Sequence, residues 1–198
     1  SYEKNRVFGN VVLNYALLEN LRVNVRYAMD MEGGFNESIR PVGMMRWSPS
    51  YSISHGNRQE SNADILVSYN KQLFRQWNIQ IDAGGNLMKY RASSTNAGAI
   101  LTLPGYSNLS SGSSKTNSQS GAEKQINSLY ASANIGFREG LFMNLTARND
   151  WSSTLPLENN SYFYPSIGLS ALIHEFISLP EAISFLKIRG ALAQVGKD

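Results

Sequence analysis

Between residues 21 and 30 apolar and polar residues alternate. Leu21, Val23, Val25, Tyr27 and Met29 fall at one parity and Arg22, Asn24, Arg26, Ala28 and Asp30 at the other. Successive side chains of a strand point to opposite faces, so this spacing predicts a strand with one apolar and one polar face. The same period recurs at residues 6–16, 62–70, 77–89, 126–138, 141–150, 162–173 and 185–195, which predicts eight strands. Pro165 cannot donate to a ladder and predicts an irregularity within the seventh.

The connections alternate in length. Short ones are expected at 17–20, 71–76 and 139–140, and longer ones at 31–60, 90–125 and 151–161, with a further connection holding one helical turn at 174–184. The run SSGSSKTNSQSG (110–121) is low in complexity, and 107–123 is the stretch expected to be least ordered. Soluble sandwiches rarely place all their long loops at one end; outer-membrane barrels do so routinely. The predicted fold is therefore all-β, an antiparallel up-and-down transmembrane barrel segment. Val23, Val25, Ile65, Val67, Ile79, Ile81, Leu145 and Ile188 are expected on the lipid side, and Asn24, Asp82, Asn134, Arg148 and Arg189 on the lumen side. Trp77, Phe142, Trp151, Tyr162 and Tyr164 near strand ends fit an interfacial girdle.

Composition agrees. Charged residues are 17% of the chain, below the ~25% of soluble domains, while serine and asparagine supply 46 of 198 residues. No stretch approaches the ~18 consecutive apolar residues of a membrane helix, but a barrel strand needs only ~9–11 residues with every second one apolar. The net charge of +3, with no basic run, excludes a nucleic-acid footprint. There is no cysteine, hence no thiolate metal site.

Three blocks carry a resemblance: RNDWSSTLP (148–156), SYFYPSIGLS (161–170) and FLKIRGALAQVGKD (185–198). In that order they resemble the barrel of the SusC/RagA family, TonB-dependent outer-membrane transporters of Bacteroidetes-type bacteria. The likeness is dense over 129–198 and looser over 2–91. Its core motif is Arg148, Asn149, Asp150, Trp151, Ser152 and Ser153. The resemblance implies a barrel of about 22 strands closed by a plug, importing oligosaccharides or peptides with energy relayed by TonB and with a SusD-like surface lipoprotein as lid. It implies no cofactor. On this reading residues 1–198 are one part of a transmembrane barrel domain. The plug and both barrel ends lie outside the sequence, because the long connections follow the even strands.

Candidate chemistry is sparse. The two histidines, His55 and His174, have no carboxylate or serine at a useful spacing, and Asp150 beside Ser152 and Ser153 has no histidine near it. No catalytic residue or metal site is predicted. The four Asn-X-Ser/Thr matches, at Asn36, Asn108, Asn144 and Asn159, are expected by chance in so asparagine-rich a chain. Arg22, Arg26, Asp82, Arg148, Asp150, Lys187 and Arg189 share the polar parity and read as lumen lining. Trp47, Tyr51 and Tyr106 fall in the long connections, where an aromatic face can stack on a sugar ring or a peptide side chain. Two alternatives use the same strands: a self-contained eight-stranded barrel with a structural or adhesive role, and a soluble β-sandwich binding module.

Overall fold

The computed structural model describes residues 1–43, 48–180 and 183–195. Among them the chain forms eight strands: β1 (Tyr2–Leu18), β2 (Leu21–Arg40), β3 (Ser50–Leu73), β4 (Trp77–Leu101), β5 (Gly112–Phe137), β6 (Leu141–Ser152), β7 (Ser161–Leu172) and β8 (Lys187–Ala193). Single 3-10 turns occur at Leu157–Asn159 and Ile173–Glu175. All eight strands lie in one sheet in sequence order, an antiparallel up-and-down meander with β1 and β8 at its edges. No helix among the described residues is long and apolar enough to cross a membrane.

Two compact units divide the chain. The first comprises Ser1–Asn10, Ala28–Ser61 and Lys89–Lys124, and the second comprises Val11–Tyr27, Asn62–Met88 and Gln125–Asp198. Strands β1 to β5 contribute to both, and β6 to β8 to the second alone.

The eight expected strands are present in the expected order, but the first six are longer than the alternation indicated and the last is shorter. The connection expected at 31–60 shrinks to 41–49, and the one at 90–125 to 102–111. Most of the run expected to be mobile, from Gly112 onward, is β5. The physical reason lies in the faces. Alternation appears where one face is apolar and the other polar. In the first unit both faces of these strands carry polar side chains; residues 113–123 of β5 are exposed throughout. A ladder of main-chain hydrogen bonds needs no such contrast, so the strand persists where its sequence signature fades.

In the second unit the strand registers fix the faces. Leu129, Ala131, Ala133, Ile135 and Phe137 of β5 oppose Asn149, Ala147, Leu145, Met143 and Leu141 of β6. The latter continue through Phe163, Pro165, Ile167, Leu169 and Ala171 of β7 to Leu192, Gly190 and Ile188 of β8. This apolar face is open: Leu129, Phe163, Leu169, Ile188 and Leu192 are all exposed, and no second sheet exists among the described residues to cover them. That removes the sandwich alternative. The register also corrects the girdle. Phe142, Tyr162 and Tyr164 pair within the polar row that holds Asp150, Arg148 and Arg189. Trp77, at the start of β4, stays exposed beside Phe137 of the apolar row, with ring centroids 4.6 Å apart.

Pro165 breaks nothing in the β6–β7 ladder, which runs without interruption from Leu141↔Ala171 to Trp151↔Ser161. Its carbonyl accepts the Gln194 N–H at 3.0 Å. The N and C=O of one residue in an antiparallel strand face the same neighbour, so the missing donor points at β8. There pairing ends with Ser166↔Ala193. The expected irregularity is thus the end of a ladder and not a distortion.

Two turns and one glycine show how tightly the second unit is specified. The β3–β4 and β5–β6 turns hold Phe74, Arg75, Arg138 and Glu139 at φ between 49° and 56°, a left-handed conformation that costs a non-glycine residue ~1–2 kcal/mol. Hairpin twist demands it, and asparagine-glycine supplies it more cheaply. On β4, a Cβ added to Gly84 would lie 2.5 Å from the Ile65 carbonyl oxygen and 2.7 Å from Tyr130 Cζ. The Tyr130 ring lies across the place where a side chain would stand.

Replacing Phe74-Arg75 by Asn-Gly should raise the guanidinium unfolding midpoint, equivalent to about 1 kcal/mol or more. An unchanged or lower midpoint would show that the turn is not strained. Gly84→Ala should lower stability by about 1–3 kcal/mol through overpacking, whereas Gly9→Ala, with nothing within 4 Å of the new Cβ, should change it little. Equal effects at the two positions would refute the packing of Tyr130 over Gly84.

Candidate functional site

The polar face of the second unit carries several hydrogen-bonded sets of side chains. From β5 Tyr130 reaches over Gly84 and its hydroxyl donates to Asp64 Oδ2 of β3 at 2.9 Å. The strand between them has no side chain at that point, so a β5 residue bonds one on β3. Beside it Arg148 Nε donates to Asp150 Oδ1 at 2.7 Å and its Nη2 to the buried Ser128 hydroxyl at 3.1 Å. Arg26 and Arg148 both lie within electrostatic reach of the Tyr130 hydroxyl. Asp82 Oδ2 accepts from Gln80 Nε2 at 2.9 Å and from the Ser132 hydroxyl at 3.2 Å.

Nearer the short turns the face becomes richer in amides, with charged side chains among them. Asn144 Nδ2 donates to Asn134 Oδ1 across β5 and β6 at 2.5 Å, and Asn24 donates to Asn14 across β1 and β2. A cavity of about 670 Å³ opens there, lined among others by Asn78, Gln80, Asn134, Asn144, Ser170 and Arg189. A second, of about 720 Å³, is lined by Asn14, Arg22, Asn24, Ser68 and Gln80 among others.

Of the seven polar residues expected together, Arg148 and Asp150 form one ion pair, and Arg26 lies near the same cluster. Asp82 belongs to the adjoining Gln80–Ser132 set, and Arg22 and Arg189 line the two cavities. Lys187 pairs with Leu172 at the first position of β8, two residues before Arg189. The sequence reading gave no role to Tyr130 or Gly84. Their signal was there: Tyr130 has the parity opposite to Leu129 and Ala131, and a glycine stands at a polar-face position of β4.

In the first unit charge pairs succeed one another along the strands. Lys4 meets Glu32 at 2.9 Å, Arg6 holds Asp30 through two bonds of 2.9 and 2.6 Å, and Arg91 meets Glu123 at 3.2 Å. Arg58 stands 5.3 Å over the Tyr90 ring. Tyr51 is on β3 and not in a loop; its hydroxyl donates to Glu37 Oε1 at 2.7 Å. That bond holds the Glu37 carboxyl below its ordinary range and raises the Tyr51 phenol. Tyr106 does lie in a connection, 62% exposed. Trp47 falls outside the described residues.

His174 exchanges a hydrogen bond with the Leu186 backbone and packs on Phe185. His55, on β3 and not in a connection, packs on Phe35. Among the described residues no three His, Asp or Glu side chains cluster as metal ligands. The arrangement presents an extended hydrogen-bonding wall suited to water, amides and hydroxyls.

No protein-family model and no curated protein matches the chain. Its fold, however, is closely similar to solved structures of the RagAB peptide transporter. One aligns with a TM-score of 0.87 at 17% identity, over 98% of this chain and 23% of that one. The RagAB peptide importer in its open-open state aligns with a TM-score of 0.85 at 17% identity, over 96% and 22%. The closed-closed state gives 0.81 at 17% identity, over 97% and 22%. The chain thus spans less than a quarter of the length of the chains it resembles, and over that span its fold is an antiparallel up-and-down β-barrel segment.

Proposed function

We propose that the chain is a wall and outer-loop segment of a TonB-dependent outer-membrane transporter of the SusC/RagA type. The observation that carries the reading is the division of one up-and-down sheet into an open apolar face and a hydrogen-bonded polar face. In a bilayer the first turns to lipid and the second to a wet lumen, since Asp64, Asp82 and Asp150 would be costly in hydrocarbon. The fold likeness to a transporter supports the same assignment.

On this reading residues 1–198 are part of a larger barrel in the outer membrane of a Bacteroidetes-type cell. The edges at β1 and β8 pair with strands outside this sequence, because unpaired backbone is not tolerated in lipid. A self-contained eight-stranded barrel would require β1 to pair with β8, and the strand order ends on both. The cargo is a peptide or an oligosaccharide, with a SusD-like lipoprotein above the long connections and TonB engaged through parts of the protein outside this sequence. Peptide is favoured by the likeness to a peptide importer. Tyr106 in the 102–111 connection and Tyr51 at the start of β3, with Trp47, would meet cargo, and Arg22, Arg26, Asp82, Arg148, Asp150, Lys187 and Arg189 would line the path.

A strain deleted for the whole protein should lose uptake of labelled oligopeptides and regain it on complementation. Loss of oligosaccharide uptake instead would reassign the cargo, and loss of neither would defeat the transport reading. Ile79→Arg, on the apolar face, should cost about 2–4 kcal/mol if it lies near the bilayer midplane, measured by folding into lipid vesicles. A neutral effect would place that face in water.

A further inference from the structure

The apolar face of the second unit is not uniform. Three rows of paired residues cross β5 to β8 on this face, and near the short turns two positions in adjacent rows lack bulk. The first row is Phe137, Leu141, Ala171 and Ile188; the next is Ile135, Met143, Leu169 and Gly190. Ala171 and Gly190 open a trough between larger neighbours, and a Cβ at Gly190 would meet nothing within 4 Å. The trough has a volume of about 920 Å³, and Trp77, Phe137, Leu141, Leu169 and Ile188 are among the residues that wall it. It continues to Ile167 and Leu192, so three rows at ~7 Å intervals give it a length of ~14 Å. That is about half of a ~30 Å hydrocarbon core, the depth of one leaflet.

Two arginines, with Glu139 beside them, stand at the turn end of the trough, and both also line the polar-face cavity. Arg138 is exposed, and its guanidinium stands 5.2 Å from the centroid of the Phe137 ring. Its N–H donates to the Gln76 carbonyl at 2.8 Å, which ties this turn to the neighbouring one that carries Arg75. Among the described residues neither arginine has an ion-pair partner, and Glu139 is the single carboxylate in the two turns.

We propose that this trough is a binding site for one anionic phospholipid, its acyl chain lying over Ala171 and Gly190 and its phosphate held by Arg138, with Arg75 adding attraction. The proposal rests on the barrel reading above and deepens it: ordinary lipid contact needs only an apolar face, whereas a trough one leaflet deep with unpaired cations at one end selects a headgroup. A surface arginine contributes about fivefold in affinity for an anionic lipid headgroup.

The test is native mass spectrometry of the whole protein in mild detergent, offered dioleoyl phosphatidylglycerol and dioleoyl phosphatidylcholine in equal amounts. The wild type should retain one phosphatidylglycerol in preference. Arg138→Gln should reduce that preference about fivefold, and Gly190→Leu should reduce retention of both lipids by filling the trough. Equal retention of the two lipids by the wild type, or retention unaffected by Gly190→Leu, would overturn the proposal. If Gly190→Leu fails to fold, Arg138→Gln decides alone, an unchanged preference overturning the site. Release of the protein from cells without detergent would instead overturn the barrel reading itself; an integral barrel with no headgroup preference would sink only the lipid site.

Discussion

Among the described residues Ala99 and Leu101 are the buried apolar side chains, so main-chain hydrogen bonding, and not a packed interior, keeps these strands in register. A water-soluble chain of this length would bury well over half of its unfolded surface around an apolar core. Here the ladder substitutes for that core, and several local choices follow from protecting it. Pro165 is placed where its missing donor faces a ladder that has already ended. Phe74, Arg75, Arg138 and Glu139 take left-handed conformations so that the hairpins match the twist of the strands beside them. The 3-10 turn after β7 folds back so that Leu172 donates to the Gly140 carbonyl and Ile173 to Leu186. Each device satisfies backbone groups that would otherwise cost about 1–3 kcal/mol apiece if buried unpaired.

The polar face of the second unit solves a different problem. Asp64, Asp82 and Asp150 stand on a sheet whose other face is open and apolar, and each is bonded by a neutral or cationic donor. Tyr130 is the least local of these donors, because it serves a residue two strands away. It can do so only because Gly84 leaves its path clear. A network that spans strands fixes their relative positions as well as their charges, and in a weakly hydrated lumen it gains strength from the lower local dielectric.

Strand starts at the short turns were legible to the residue: Leu21, Trp77 and Leu141 are the first residues of β2, β4 and β6. The second unit has one apolar face, and that alone imprints a period of two. The far ends of β2 to β5 were not legible, since Ser, Asn, Gln and paired charges on both faces give no contrast to read. Site residues follow the same division. Arg148 with Asp150 could be read from parity, but Tyr51 could not, because it stands on a polar strand that looks like a loop. Phe142, Tyr162 and Tyr164 misled for the opposite reason. An aromatic ring near a strand end suggests a girdle whichever way it points, and only the β6–β7 and β7–β8 registers show it beside Arg148 and Arg189.

Polar strands of this kind face a risk that apolar ones do not. A one-residue slip in the second unit would drive apolar side chains to the charged face, but in the first unit both faces are polar and a slip exchanges like for like. The ion pairs there supply the missing discrimination. Lys4–Glu32 and Arg6–Asp30 sit two residues apart along each of β1 and β2, on one face, with Arg6 held in a bidentate grip. Shifting one strand by a residue would carry both cations to the face opposite their partners. Each pair is exposed and adds little to stability by itself. Their contribution lies in the difference between registers, where two pairs made or lost together separate the native pairing of β1 with β2 from its neighbours.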